Sequence, residues 1–449
     1  MIYITSLKDC CGCEACAQIC PKKCISMKCD TEGFLYPNVD TSTCIDCGLC
    51  EKVCPVINQY DTQKPLRVCA AKNNNETERL LSSSGGVFIL VAKDILKEGG
   101  VVFGAKFDDD FNVIHDYCET DEELCKFQGS KYVQSRIGDT YNKAKKFLTE
   151  GRKVLFSGTS CQIAGLKHFL KKDYDNLFTI DVVCHGVPSP LVWKNYLEDI
   201  KCAKHKIGKN SVSLSVNETS VDLTDVSFRD KTNGWKKFGF KITYVASKAT
   251  ENTVSKSSIN KLTLIEPSYD NIFMKGFLQN LYLRPSCHYC PAKAGKAHSD
   301  ITIADYWGIQ NYHPQFDDDK GIGLVLINSQ KGEQLYSSLN LDSIKTSYED
   351  GLRNNPCIER SVTVPKYRSY FWTIYPQKGI EAVNIIIKKI KPSFFRRCLS
   401  FAKRCLLKVV RQLTTLIYRL CYKNCIIIAH CWAYWQAKYF VCTLLCNGQ

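Results

Sequence analysis

Two four-cysteine runs, each closed by a proline, dominate what the first part of this chain can fold into. Cys10, Cys13, Cys16 and Cys20 are spaced C-x₂-C-x₂-C-x₃-C with Pro21 next, and Cys44, Cys47, Cys50 and Cys54 repeat the spacing with Pro55 next. Such a run wraps a loop around a cubane, so that thiolates and backbone N–H groups both face its sulfurs, and the proline then turns the chain away. Gly12 and Gly48 sit inside C-x₂-C steps, where the backbone passes close to the cluster. In the two-cluster pattern, three cysteines of a run hold one cluster and the fourth crosses to the other. The expectation is two 4Fe-4S clusters, with Cys54 completing the first and Cys20 the second. A pair of zinc sites competes, since C-x₂-C pairs also build zinc ribbons. Two full runs, each followed by proline, fit zinc poorly. Cys11, Cys24 and Cys29 fall outside the repeat and read as packing residues.

The chain holds 27 cysteines in 449 residues. Cysteine at that level implies disulfides only in a short secreted chain. The opening MIYITSLKDCCGC shows no basic region, apolar stretch or small-residue cleavage site, so a reducing, cytoplasmic setting is expected and the thiols point to metal. The length suggests two or three domains, and 45% apolar residues supply a core. The net charge of +15 is uneven: from Ile380 onward 12 basic residues face one acid, leaving 48 basic against 44 acidic in the rest. A near-neutral body argues against a nucleic-acid partner.

A polar stretch, 58–64, ends at Pro65 and reads as a linker. Ser82-Ser83-Ser84-Gly85-Gly86 then precedes a helix-compatible run, VFILVAKDILKEGG, and a strand candidate, VVFGAKF. Small residues before a helix N-terminus suit an anion such as a cofactor pyrophosphate, and equally an ordinary cap and turn. Farther on, VLFSG, TSCQIAGLKHFLKK and LFTIDVVCHG read as a βαβ unit with parallel strands. Cys161 falls just past the carboxyl end of the first strand and Cys184 at that of the second, the edge where open α/β sheets bind ligands. With Cys287 and Cys290 of LRPSCHYCPAK they make four thiols, enough for a third cluster. The alternative is that Cys161 and Cys184 are buried, inert thiols.

The strings SSSGG (82–86), GSKYVQS (129–135), GTSCQIAGLK (158–167), DVVCHGVPSP (181–190), RPSCHYC (284–290) and SDITIADYWG (299–308) resemble, in order, the coenzyme F420 hydrogenase/dehydrogenase beta-subunit family, in its form with an N-terminal two-cluster 4Fe-4S ferredoxin domain. The resemblance runs to about residue 375. It implies a flavoprotein that passes electrons between clusters, FAD and a soluble redox partner. By motif, Cys161, Cys184, Cys287 and Cys290 become ligands of a further 4Fe-4S cluster. The turn Ser84, Gly85 and Gly86, with Lys131 and Tyr132, becomes the flavin pocket, and His185 and Lys131 the candidate catalytic groups. Ser160 stands where the family commonly has proline, which loosens the turn before Cys161 without removing the ligand. His185 reads either as a donor to cluster or flavin or as a residue fixing its turn. Asp305 reads as a turn cap or a cofactor contact.

The expected fold is an α+β ferredoxin-like module with two 4Fe-4S clusters, then a mixed α/β flavin- and cluster-binding body, then a helical C-terminal tail. The expected domains are 1–60 (ferredoxin), 65–150 and 151–375 (resembling the N- and C-terminal parts of the family's beta chain) and 376–449 (tail). Between residues 394 and 421 apolar residues recur at helical spacing, with Arg397, Arg404 and Arg411 on another face. A basic amphipathic helix of this kind suits either a membrane surface or a protein face. The 14 residues between Lys423 and Lys438 are too few to span a bilayer. The function expected is an iron–sulfur flavoprotein oxidoreductase acting on coenzyme F420 or another metabolite, with a redox partner protein or soluble carrier. The rival is a non-catalytic electron-relay subunit.

Overall fold

The computed structural model describes residues 1–201, 219–248 and 260–390, together with 410, 413 and 414. Met1–Asn384 form one compact unit and Ile385–Gln449 another. The stretch 394–421 lies, but for those last three residues, outside the described residues.

Three sheets build the first unit. A hairpin pairs β1 (Ile25–Cys29) with β2 (Leu35–Val39). The main sheet contains β3 (Arg67–Asn73), β4 (Val101–Phe107), β5 (Val113–Cys118), β6 (Val154–Thr159) and β7 (Leu177–Val182). A three-stranded antiparallel sheet follows in the chain: β8 (Thr219–Asp230), β9 (Gly239–Lys248) and β10 (Asn260–Pro267). The main sheet is then completed by β11 (Ile301–Asp305), β12 (Gly323–Ile327) and β13 (Leu341–Lys345), in the order β13-β3-β12-β11-β7-β6-β4-β5. Its middle, β11-β7-β6-β4, is parallel and its flanks antiparallel.

The parallel strands are apolar runs because both faces are covered. Val154 and Phe156 pack with Ile163, Leu166 and Phe169 on one side, while Leu155 packs with Ile89, Ala92 and Ile95 of the helix Val87–Lys97 on the other. The expected βαβ unit is present: β6 pairs in parallel with β7, and the helix Ser160–Leu170 joins them. That helix starts where it does because Thr159 and Gln162 form a reciprocal capping box. Cys161 therefore sits in the first turn of a helix at the carboxyl edge of the sheet.

The N-terminal loops pack into this same core. Cys11, Cys13, Ala15 and Val53 share one apolar cluster with Val154, Phe156 and Ile163. The stretch 58–64 is held at several points. The Tyr60 ring stacks between His168 at 4.3 Å and His298 at 4.7 Å. Gln63 donates from its backbone N to the Ala294 carbonyl at 3.1 Å and from Nε2 to the Asn328 carbonyl at 2.8 Å. Among the described residues, no helix is long and apolar enough to cross a membrane.

Candidate electron-transfer site

The two cysteine runs fold as conformational copies. Gly12 (φ +72°) and Asp46 (φ +49°) occupy equivalent places, as do Glu14 (φ +59°) and Gly48 (φ +69°). Each left-handed pair bends its loop so that a short helix follows, Ala15–Ile19 in one copy and Leu49–Lys52 in the other. Glu14 tolerates this conformation because its carboxylate is tied to the body, where Oε1 accepts from the Ile137 N–H at 2.9 Å.

Thiols of both runs act on one another: Cys54 of the second run is raised by burial and by Cys10 and Cys50. Burial pushes Cys16 up, and Cys10 and Cys54 push it further. Cys11 lowers Cys13, yet burial and the thiols Cys16 and Cys54 leave it raised. In the other copy, Cys20 lines a small cleft with Cys44, Cys47 and Cys50. Burial and neighbouring thiols raise Cys13, Cys16 and Cys54, and a cationic metal core would stabilise such soft donors as thiolates. Cys24 also faces this second cleft, with its Sγ 3.3 Å from that of Cys20. Among the described residues, no three His, Cys, Asp or Glu side chains come together tightly enough for a single metal ion. A cubane spreads its ligands over four irons and needs no such point.

Cys161, Cys184, Cys287 and Cys290 come from three separate segments and meet. Burial raises Cys184 to about 12, with Cys161 and Cys290 adding to it and Lys293 opposing. Cys290 is raised to about 11 by burial and by Cys161, and Cys287 is raised by burial, Cys184, Cys290 and Cys161. The Val187 N–H donates to the Cys287 sulfur at 3.3 Å. Lys293 donates to the carbonyls of Cys184 and Cys357. A small cleft opens beside this group, lined by Ser160, Asp181, Lys293, Thr302, Asn328 and Cys357 among others. Cys11, read from the sequence as packing, is buried, and its thiol acts electrostatically on both Cys13 and Cys161. It thus joins the first run to this second thiol group.

The residues expected to hold a flavin fall beside an aromatic patch. Ser84 Oγ donates to the Ile322 carbonyl at 2.7 Å. A Cβ on Gly85 would lie 2.2 Å from the Ala71 carbonyl and 2.5 Å from the Gly323 N, so this glycine lets the turn lie flat on β3 and β12. Gly86 (φ +80°) caps the helix Val87–Lys97. Burial pulls Lys131 down to about 7, while three carbonyls, of Lys126, Gln128 and Gly129, accept from its ammonium at 2.9–3.2 Å. The Tyr132 hydroxyl accepts from Arg229 at 3.1 Å, and its ring stacks on Phe277 at 5.1 Å. His185 meets the same Phe277 edge-on at 5.2 Å, holds Asn280 Oδ1 through Nε2 at 2.6 Å, and is lowered by burial. His185 and Tyr132 therefore share one ring between the Cys184 group and the flavin candidates.

Asp305 takes a role that neither expectation gave it. Its carboxylate accepts two bonds from Arg229, at 2.7 and 2.9 Å, and one from Trp235 at 2.8 Å. Arg229 lies over Phe238 at 4.0 Å, and Trp235 stacks on Trp307 at 4.8 Å. The Arg229 Nε is buried without a hydrogen-bond partner.

With this geometry in view, comparison with known proteins gives a consistent answer. Residues 9–58 match the 4Fe-4S dicluster domain, and residues 151–348 match the C terminus of the beta subunit of coenzyme F420 hydrogenase/dehydrogenase. The chain thus combines a C-terminal domain of the coenzyme F420 hydrogenase/dehydrogenase beta subunit with a 4Fe-4S dicluster domain. Its N-terminal region carries the 4Fe-4S dicluster domain, in place of the zinc alternative. A curated relative, Ferredoxin 7Fe from Hydrogenibacillus schlegelii, is 40% identical over 62 residues, which are 13% of this chain and 72% of that protein. A chain of the xenon-derivatised F420-reducing [NiFe] hydrogenase complex from Methanosarcina barkeri aligns at 15% identity over 73% of this chain and 93% of its own, with a TM-score of 0.38.

Sequence reasoning missed Arg229, Trp235, Arg284 and Cys357. Arg284 stands at the head of the quoted string RPSCHYC, so a signal was there. Arg229 lies in a stretch of β8 with no motif around it, and only the fold brings it to Asp305.

Proposed function

We propose that the chain is an iron–sulfur flavoprotein oxidoreductase that passes electrons between ferredoxin-type 4Fe-4S clusters, FAD and a soluble substrate. The observation that carries this reading is the meeting of Cys161, Cys184, Cys287 and Cys290, joined by Cys11 to the first cysteine run. On this reading the four thiols hold a third 4Fe-4S cluster. A bound flavin supplies the hydride chemistry that converts one-electron into two-electron transfer.

The residues of the chain then have defined tasks. Lys131 and Tyr132, with Arg229, present a cation and ring faces to the flavin, and the Ser84-Gly85-Gly86 turn orients the helix behind it. His185, kept neutral by burial and held through Nε2 on Asn280, is the candidate proton carrier between thiol group and pocket. Lys131 is the second candidate. Coenzyme F420 is the substrate that the beta-subunit match favours, and another metabolite, such as a sugar or polysaccharide precursor, is the alternative. A redox partner protein would meet the ferredoxin region.

One observation favours the rival, a relay subunit without flavin: the open side of Gly85 is filled by sheet backbone rather than left free for a phosphate. Iron, sulfide and flavin measured anaerobically on one sample decide the matter. Three clusters give about twelve irons and twelve sulfides per chain, and the enzyme adds one flavin. About eight irons and no flavin would make the chain a relay.

A further inference from the structure

The cysteine runs are copies in spacing and in backbone, but an arginine lies on only one of them. Arg284 is fully buried, and its guanidinium reaches the first run from 274 residues away. Nε donates to the Cys10 carbonyl at 2.7 Å, and Nη2 to the Cys10 sulfur at 3.4 Å and the Leu35 carbonyl at 2.9 Å. Nη1 donates to Gln134 Oε1 at 3.0 Å, and Gln134 Nε2 in turn donates to the Cys11 carbonyl at 3.1 Å. The Tyr36 ring faces the guanidinium at 4.3 Å. Space for this contact comes from Gly12, since a Cβ there would lie 2.7 Å from Arg284 Nη1. In the second run, the Ile2 N–H donates to Cys50 and the Cys24 thiol meets Cys20. Among the described residues, no cationic side chain donates to a ligand sulfur there.

Reduction adds a negative charge to a cluster. Burial in a low-dielectric core opposes that charge. A buried cation that also donates a hydrogen bond to a ligand sulfur favours it, which raises the reduction potential. Of the two clusters, the one held by Cys10, Cys13, Cys16 and Cys54 is the more deeply buried and alone carries such a cation.

We propose that Arg284 sets the potential of the buried cluster, making it easier to reduce than its burial alone would allow, so that an electron leaving the solvent-facing cluster is drawn inward to it. The step is a one-electron transfer in which the outer cluster is oxidised and the inner one reduced. The proposal rests on Cys10 holding a 4Fe-4S cluster. It does not require the third cluster or the flavin.

The test is redox titration followed by electron paramagnetic resonance on the full chain, for wild type, Arg284→Lys and Arg284→Gln. Iron and sulfide are counted first on each sample. A wild-type chain lacking two ferredoxin-type clusters defeats the underlying reading itself, and this proposal with it. With both clusters present, Arg284→Gln is expected to make one of the two at least tenfold harder to reduce, a fall of 59 mV for one electron. Arg284→Lys, which keeps the charge but not the fork, should restore part of that fall. Potentials for both clusters that match wild type in Arg284→Gln would overturn the proposal. If that variant does not fold, wild-type chain labelled with ¹⁵N-arginine decides. Hyperfine coupling between that nitrogen and one reduced cluster supports the assignment, and its absence ends it.

Discussion

The first and second cysteine runs share their spacing and their left-handed positions, and they differ in what surrounds them. Cys13, Cys16 and Cys54 are buried, and the Cys13 side chain packs against Gly165, where a Cβ would lie 2.8 Å from it. Cys47, by contrast, is exposed, and among the described residues a Cβ on Gly48 would meet beyond its chain neighbours only the Glu51 carboxylate, at 3.9 Å. One copy is an internal part of the body, and the other faces solvent. A duplicated local motif has thus been given two electrostatic settings by what is packed on it, with no change in the ligands themselves.

The comparison can be broken most forcefully at the ligands. Cys13→Ala and Cys47→Ala should each lower iron by about four atoms per chain. Only Cys13→Ala should also lower the melting temperature sharply, because it opens a gap in the core that β6 and the helix Ser160–Leu170 share. Equal melting temperatures would show that the two copies are equally peripheral. Cys287→Ala extends the contrast inward: iron should fall by one further cluster's worth while both ferredoxin signals persist. An unchanged iron content in that variant would remove the third cluster from the proposed function.

Smaller effects are expected at the glycines. Gly12→Ala must hold φ at +72° and also displace Gln134 and Arg284, so a loss of about 2–3 kcal/mol is expected in denaturant unfolding. Gly48→Ala faces the strain alone, and about 1 kcal/mol should be lost. The smallest effect concerns pH. Burial raises the Glu14 carboxyl above its unfolded value, so its contribution to stability is greatest below the unfolded pKa and falls as pH rises through the folded one. Glu14→Gln, measured by thermal melts across acid to neutral pH, should flatten that decline. A parallel curve would mean that the carboxyl at Ile137 does not titrate with folding.

How much of this was legible in the sequence follows from how local each feature is. Ligand spacing around a cubane is a short-range constraint, so the 4Fe-4S dicluster domain could be read directly. The βαβ unit was legible for the same reason, since strand, capping box and helix are contiguous from β6 to β7. Arg284 and Arg229 were not, because their meaning comes from partners far along the chain, Cys10 in one case and Asp305 in the other. Cys11 is instructive in between: it lies inside the best-read motif, yet its contact with Cys161 depends on the fold.

The stretch 58–64 has the composition of a tether, but Tyr60 is clamped between two imidazole rings and Gln63 is bonded twice to the body. A domain that ferries electrons must be free to swing between donor and acceptor. Here the lash is tied down, so the N-terminal clusters work as fixed terminals, and whatever trades electrons with them has to travel to their doorstep.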